Sequence, residues 1–405
     1  MRKGDFRGIP LADQDAFKAA VANAATLSAL NNFGGVNPIL RFHLKGKAAY
    51  RIRTLPDEIV VRKLALNIKK ISKPRRSDRS EVVSNLRQLL EEGVPYRIYR
   101  LDVKSYYESF KHGDIRERLL SLPDLSPLDR RHLDTLLGHF STLGGTGLPR
   151  GMAISAIVSD ALMADFDSWV LSNPSVYFFG RYVDDIVIVT NLTEDQGVFL
   201  DQVKKMLPDG LALNEKKLSV STLEERPQQV KAALPLHKCD VDYLGYRFSV
   251  FDPCKASIVG KKVFRLVAVE LALSKLERFK TRIVRSFRDF NKTRDSGLLV
   301  DRIKFLTSNF SVYDKNTCKR KLAGIYYGYP LLSANSDSLE QLDQFLRNAV
   351  LSSKGRVFKE SSPALMSTVK RTLLSLSFRA GHREQQFVHF SSSKICQIQE
   401  CWKYE

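Results

Sequence analysis

Two adjacent aspartates, Asp184 and Asp185, stand between the apolar runs Val176-Tyr177-Phe178-Phe179-Gly180 and Ile186-Val187-Ile188-Val189-Thr190. A third, Asp102, closes another apolar run that begins at Tyr96. Carboxylates suit a hard dication: Mg²⁺ takes oxygen ligands, usually one or two carboxylates completed by phosphates and waters. Two such ions, roughly 3.5–4 Å apart, can activate an attacking hydroxyl and stabilise a leaving phosphate. The chemistry within reach is therefore phosphoryl transfer, in which a protein mainly positions groups and neutralises charge. Turns favour Asp for their own reasons, so an Asp-Asp pair alone reads as a solvated turn. Apolar strands on both sides make it a rigid tip instead, where neighbouring carboxylates repel unless a cation offsets them.

The elements that must hold these residues follow from periodicity. The spacing predicts a hairpin over 176–190 with its turn at Tyr182 to Asp185, and a strand from Tyr96 to Val103 leading into Lys104-Ser105-Tyr106-Tyr107. Leu11 to Leu30 reads as a helix, ended by Asn31-Asn32-Phe33-Gly34-Gly35. Glu81 to Glu92 reads as an amphipathic helix with Val82, Leu86, Leu89 and Leu90 on one face. Ile115 to Leu143 is mostly helical with turns near Pro123 and Pro127, and Met152 to Leu171 reads as one long apolar helix. A helix is expected from Asp195 to Met206, then short strands over Ser219 to Thr222 and Tyr243 to Val250. From Lys261 onward the pattern is helical and rich in Lys, Arg and Phe. Three regions result: a basic mixed region with N-terminal helices over 1–95, an α/β core over 96–260, and a basic helical region over 261–405.

Charge points to the partner. The 405 residues carry 64 Lys and Arg against 44 Asp and Glu, a net +20. That excess argues for a polyanion. Its spread along the whole chain, interleaved with aromatics, favours nucleic acid over a membrane surface, for which no basic amphipathic end segment is present. No apolar run is long enough to span a bilayer, and Met1-Arg2-Lys3-Gly4-Asp5 lacks a signal core, so a cytoplasmic protein is expected. The five cysteines sit at no zinc-finger spacing and read as reduced thiols. An apolar content of 43% suffices for ordinary cores.

The motifs have a family likeness. Tyr182-Val183-Asp184-Asp185 resembles the Y-x-D-D motif of reverse transcriptases, and Arg100-Leu101-Asp102-Val103-Lys104-Ser105-Tyr106-Tyr107-Glu108-Ser109-Phe110 resembles their first aspartate motif. Gly147-Leu148-Pro149-Arg150-Gly151 is similar to the G-x-P-Q-G turn, Leu213-Asn214-Glu215-Lys216-Lys217 to the lysine motif, and Tyr243-Leu244-Gly245-Tyr246 to the primer-grip hairpin. The five occur in the family's order over roughly 96–250. The resemblance implies an α+β right-hand polymerase with fingers, an antiparallel-sheet palm and a helical thumb. It implies an RNA-directed DNA polymerase adding dNTPs to a 3′ end, with two Mg²⁺ ions for which Mn²⁺ can substitute. Asp102 and Asp184 would be the principal metal ligands, with Asp185 assisting. Tyr107 would be the gate that excludes a 2′-hydroxyl, the group that separates RNA from DNA. Lys217, with Lys216 as a rival assignment, would approach the leaving pyrophosphate. Arg79, with Arg75 or Arg76, would clamp the triphosphate; Arg150 would face the nucleotide; Tyr182, Tyr243, Gly245, Lys261 and Lys262 would contact primer or template. Two departures stand out: Arg150 replaces the usual Gln, and Leu218 stands where Thr is common.

Within the family, the chain resembles the bacterial antiphage-defence and abortive-infection enzymes. Arg150, the short Ser77-Asp78-Arg79 loop, Phe378-Arg379-Ala380-Gly381 and Ile395 to Trp402 carry that resemblance. It implies a noncoding RNA partner, a second reverse transcriptase and possible homo-oligomerisation, with RNA template, dNTPs and DNA product as the other partners. Two rival functions stay open on the sequence. One is template-independent or protein-primed DNA synthesis. The other is an RNA-binding scaffold that uses a polymerase fold.

Overall fold

The computed structural model of the chain describes residues 1–6, 8–44, 46–73, 78–120, 122, 124–227, 232–255, 264–314, 319–333, 335–352 and 354–403. Its strands are β1 (Ile39–Leu44), β2 (Lys47–Ile52), β3 (Tyr96–Asp102), β4 (Val176–Tyr182), β5 (Asp185–Thr190), β6 (Ser219–Leu223), β7 (Leu236–Tyr243), β8 (Tyr246–Asp252), β9 (Leu266–Leu271), β10 (Asn309–Asp314) and β11 (Lys319–Gly324). All pair antiparallel, in the orders β1-β2, β4-β5-β3-β6, β7-β8-β9 and β10-β11. Helices supply the rest, so the fold is α+β. Two compact units result: residues 1–82 with 94–226, and residues 83–93 with 227–405.

The first unit is built on β4-β5-β3-β6. Ile186, Val187, Ile188 and Val189 on β5 are fully buried, which is why this strand is an unbroken apolar run rather than an alternating one. Full burial of each such side chain contributes about 1.5–3 kcal/mol. Leu64 and Ile68 of helix Leu55–Ser72, Phe140 of helix Pro127–Thr142 and Val158 of helix Ala153–Leu162 belong to the same core. At the end of the sheet away from the 183–184 turn, the Glu194 carboxylate accepts from Arg97 Nη1 (2.7 Å), the Tyr99 hydroxyl (2.8 Å) and Thr190 Oγ1 (2.7 Å). Burial, reinforced by that carboxylate, pushes the Tyr99 phenol up to about 12.

Several features differ from expectation. The stretch Met152 to Leu171 is two helices, Ala153–Leu162 and Ala164–Ser172. No Gly or Pro marks the break. Met163 has ψ −3° there, and the two pieces pack on different neighbours, helix Leu55–Ser72 and β4. The N-terminal region, expected to be helical, contains the β1-β2 hairpin. In the second unit, the strand expected from Tyr243 starts only at Tyr246, because Tyr243 to Tyr246 forms the hairpin its motif implied: Leu244 and Gly245 are the turn between β7 and β8, with φ of +48° and +83°. Hairpin turns of type I′ need positive φ at both central positions, which Gly245 adopts without steric cost.

The helical region after residue 261 is interrupted by β9 and by the β10-β11 hairpin. Its longest helix, Leu273–Thr293, buries Leu276, Ile283, Phe287 and Phe290 and leaves Arg278, Arg288 and Lys292 exposed. Phe287 and Phe290 are thus core residues, and Arg282 lies over the Trp402 ring at 5.2 Å. Among the described residues no helix is long and apolar enough to cross a membrane.

Candidate active site

Strand pairing brings the three aspartates together. Asp102 ends β3 directly opposite Asp185, the first residue of β5, and Asp185 in turn pairs with Tyr182 at the end of β4. Only Val183 and Asp184 form the turn, and Val183 has φ +61°. That value is costly for a β-branched residue. Two backbone bonds lock the junction: Val103 N–H donates to the Asp184 carbonyl (3.0 Å), and Asn214 N–H donates to the Asp102 carbonyl (2.7 Å).

The turn is also held from behind. Arg181, its side chain only 4% exposed, donates through Nε (2.8 Å) and Nη2 (2.7 Å) to the two carboxylate oxygens of Asp167. Its Nη1 reaches Asp160 at 3.3 Å and the carbonyl of Val183 at 3.4 Å. A bidentate, buried pair of this kind fixes orientation as well as charge. The strained turn is therefore tied to helices on both sides of Met163.

The carboxylates have distinct surroundings. Asp102 is 5% exposed and accepts from Lys217 Nζ (2.8 Å) and Asn214 Nδ2 (3.2 Å). Asp185 faces Arg100 Nη2 at 3.4 Å. Burial pushes Asp184 and Asp185 above the ordinary carboxylate range, and the negative charge of Asp102 adds to both; Lys217 acts in the opposite direction. Burial and like-charge crowding together make a site that a cation would relieve.

Asp102 and Asp184, but not Asp185 or its neighbour Arg100, open on one cleft of about 730 Å³ in the first unit. Asp102, Tyr107, Glu108, Arg150, Asp184, Asn214 and Lys217 all line it. Tyr107 lies in the helical turn Tyr106–Ser109, which follows Ser105 at φ +48°. Gly147, at φ +68°, packs so closely on this turn that a Cβ would strike the Tyr107 and Glu108 carbonyls. Leu148 N–H donates to the Tyr107 carbonyl at 2.7 Å. The Gly147 to Gly151 segment is thereby laid beside Tyr107.

Does the donor set fit Mg²⁺? Among the described residues no three His, Cys, Asp or Glu side chains already converge as a metal cage. A floor of two carboxylates, Asp102 and Asp184, at the edge of an open cleft nevertheless suits an ion completed by phosphates and waters. The oxygen-only donors and the cation already seated on Asp102 fit the same ion.

The other sequence-derived residues fall elsewhere. Arg79 opens helix Arg79–Leu90, is half-buried and is not among the cleft-lining side chains. Tyr182 is 44% exposed beside Asp185. Lys216 is exposed next to Lys217, and only Lys217 lines the cleft. Tyr243 and Gly245 belong to the second unit, where the Tyr243 ring is core. Arg75, Arg76, Lys261 and Lys262 lie outside the described residues. Sequence reasoning quoted Asn214, Arg100 and Glu108 within motifs but gave them no role, and it missed Arg181 and Arg41, which lines the cleft. Arg181 carried no sequence signal beyond its adjacency to the turn.

Residues 86–248 match the family described as Reverse transcriptase (RNA-dependent DNA polymerase). Among solved structures, the chain is similar to apo telomerase from Candida tropicalis, with 11% identity, TM-score 0.33, and coverage of 86% of this chain and 56% of that one. It is also similar to telomerase from Candida albicans in complex with a TWJ fragment of telomeric RNA, with 13% identity, TM-score 0.32, and coverage of 85% and 54%. A Candida tropicalis telomerase complex with the same kind of fragment gives 11%, 0.34, 99% and 60%. The chain thus spans little more than half the length of these telomerase chains.

Proposed function

Starting from the reverse transcriptase domain that the chain carries over residues 86–248, the fold of an RNA-directed DNA polymerase, we propose that the protein adds dNTPs to a 3′ end on an RNA template. One observation carries this reading: a single cleft gathers Asp102, Tyr107, Arg150, Asp184 and Lys217 from distant parts of the chain. Asp102 and Asp184 hold Mg²⁺, with Asp185 oriented by Arg100 and assisting. Bound there, the ions supply activation of the 3′-hydroxyl and stabilisation of the pyrophosphate. Tyr107 bounds the sugar position and disfavours a 2′-hydroxyl. Lys217 exchanges Asp102 for the leaving pyrophosphate. Arg79, with Arg75 or Arg76, binds the triphosphate, and Arg150 faces the nucleotide. Residues 1–95 serve as fingers, 96–260 as palm and 261–405 as thumb. The thumb presents Arg278, Arg288 and Lys292 to the duplex backbone, with affinity that falls steeply as salt rises.

The setting we propose is cytoplasmic antiphage defence with a bound noncoding RNA, and a second reverse transcriptase as a further partner. It rests on the likeness of Arg150, the Ser77-Asp78-Arg79 loop and the C-terminal segments to that group. The deciding experiment assays purified protein with and without its copurifying RNA, then sequences RNA and product. Template-copied DNA that requires Mg²⁺ supports the reading. DNA made without template, or covalently joined to protein, supports the template-independent or protein-primed alternative. Bound RNA with no synthesis indicates a scaffold. Tyr107→Ala should lower the preference for dNTPs over rNTPs; an unchanged preference removes the gate.

A further inference from the structure

Arg150 does not stand free in the cleft. Its Nε and Nη2 donate to the two carboxylate oxygens of Glu108 at 2.8 and 3.0 Å, and its guanidinium carbon lies 5.9 Å from the centroid of the Tyr107 ring. We propose that Glu108 is a positioning residue for nucleotide selection, holding Arg150 across the face of Tyr107 so that ring and guanidinium form one wall of the sugar site. The inference rests on the reading of Tyr107 as the gate.

The backbone is already committed to this arrangement. The Leu148 N–H bond to Tyr107 and the close seat of Gly147 fix one end of the segment. The other end is fixed by Tyr50 N–H, which donates to the Arg150 carbonyl at 2.8 Å. His112 Nε2 lies 2.7 Å from the Gly147 carbonyl as well. What remains adjustable is the Arg150 side chain. Two-point pairing with a carboxylate fixes the plane of a guanidinium in a way that a lysine or a single bond cannot. It also leaves three of its five N–H donors for a ligand. A cation over a tyrosine face favours that ring orientation.

Stability does not explain the pair. Both side chains are more than a third exposed, at 36% for Arg150 and 40% for Glu108, and ion pairs this exposed contribute little to folding. Without Glu108, Arg150 would be a loose cation facing Asp102 and Asp184 across the same cleft. Glu108 therefore holds it on the gate by a direct bond, while the Arg150 charge acts on Asp184 only through space. The ligand so selected is the sugar of a nucleoside triphosphate.

The test is a double-mutant cycle read as the ratio of kcat/KM for dNTP to that for rNTP on a template–primer. Glu108→Gln and Arg150→Ala should each lower the ratio on the order of tenfold, as expected for coupled neighbours. The double variant should be no worse than either single one, and the charge-swapped pair Glu108→Arg with Arg150→Glu should recover part of the loss. Melting curves should be unchanged in all four. A Glu108→Gln variant that keeps full discrimination while Tyr107→Ala loses it overturns this proposal and leaves the gate intact. Additive losses in the cycle overturn it too. Unchanged discrimination in Tyr107→Ala removes the gate reading itself.

Discussion

Lys217 Nζ lies 2.8 Å from Oδ1 of Asp102. The lysine is about half-exposed and the aspartate almost wholly buried, at 53% and 6% for their side chains. An exposed ammonium thus covers the buried carboxylate from the cleft side, where a dication would approach it. The lysine motif and the first aspartate motif are joined by this contact.

Removing the ammonium should separate two effects. Lys217→Ala should slow single-turnover incorporation on the order of 10²-fold, the scale for removing one group that faces transition-state charge. Binding of Mn²⁺, followed by electron paramagnetic resonance without turnover, should hold or tighten because a competitor has left Asp102. Weakened Mn²⁺ binding would show instead that the lysine supports the metal site.

Asp184 gives a prediction of opposite sign for stability and activity. Burial and the nearby Asp102 charge push it above the ordinary carboxylate range, so the folded state binds its proton more tightly than the unfolded chain. By linkage, stability from this group is present below the unfolded value and is lost as pH rises through the folded one. Asp184→Asn should therefore melt no lower than the parent at neutral pH without Mg²⁺. The stabilisation that Mg²⁺ gives the parent should disappear. Incorporation should fall by roughly 10³-fold or more, as when a group facing transition-state charge is removed. A variant that melts well below the parent in EDTA contradicts the electrostatic account.

Arg181 should be the costliest single change near the site. Arg181→Ala leaves the Asp167 and Asp160 carboxylates without their cation, a loss of about 3–5 kcal/mol for a broken buried pair. Chemical unfolding should read that difference. Arg181→Lys should recover only part of it, since one ammonium cannot reproduce the two-point bond to Asp167. Full stability in Arg181→Lys would mean that charge alone holds the turn.

Tyr99 predicts a pH window. Its phenol is held up to about 12 by burial and by its bond to Glu194, against a reference of 10.0. The raised value means that its contribution is complete below pH 10 and is lost as pH rises toward 12. Urea unfolding between pH 9 and 12, with all pH values nominal and about one unit apart, should show a steeper fall for the parent than for Tyr99→Phe. Parallel slopes would exclude the phenol as the cause.

The sequence determined the hairpin at 176–190, the strand ending at Asp102 and the basic character of the chain, because each is a local signal. Apolar runs bounded by turn residues specify strands, and charge is additive. The aspartates and Lys217 were readable through their motifs for the same reason. Other features depended on packing between distant segments. The break at Met163 has no breaker residue; it exists because the two helices rest on different partners. The bond from Arg181 to Asp167 and Asp160, the covering of Asp102 by Lys217 and the pairing of Glu108 with Arg150 join residues that periodicity cannot relate. Strand register placed Asp102 opposite Asp185, and register is a property of the assembled sheet. Tertiary structure alone decided which charges face one another, since a side chain's partner is set by where its element packs.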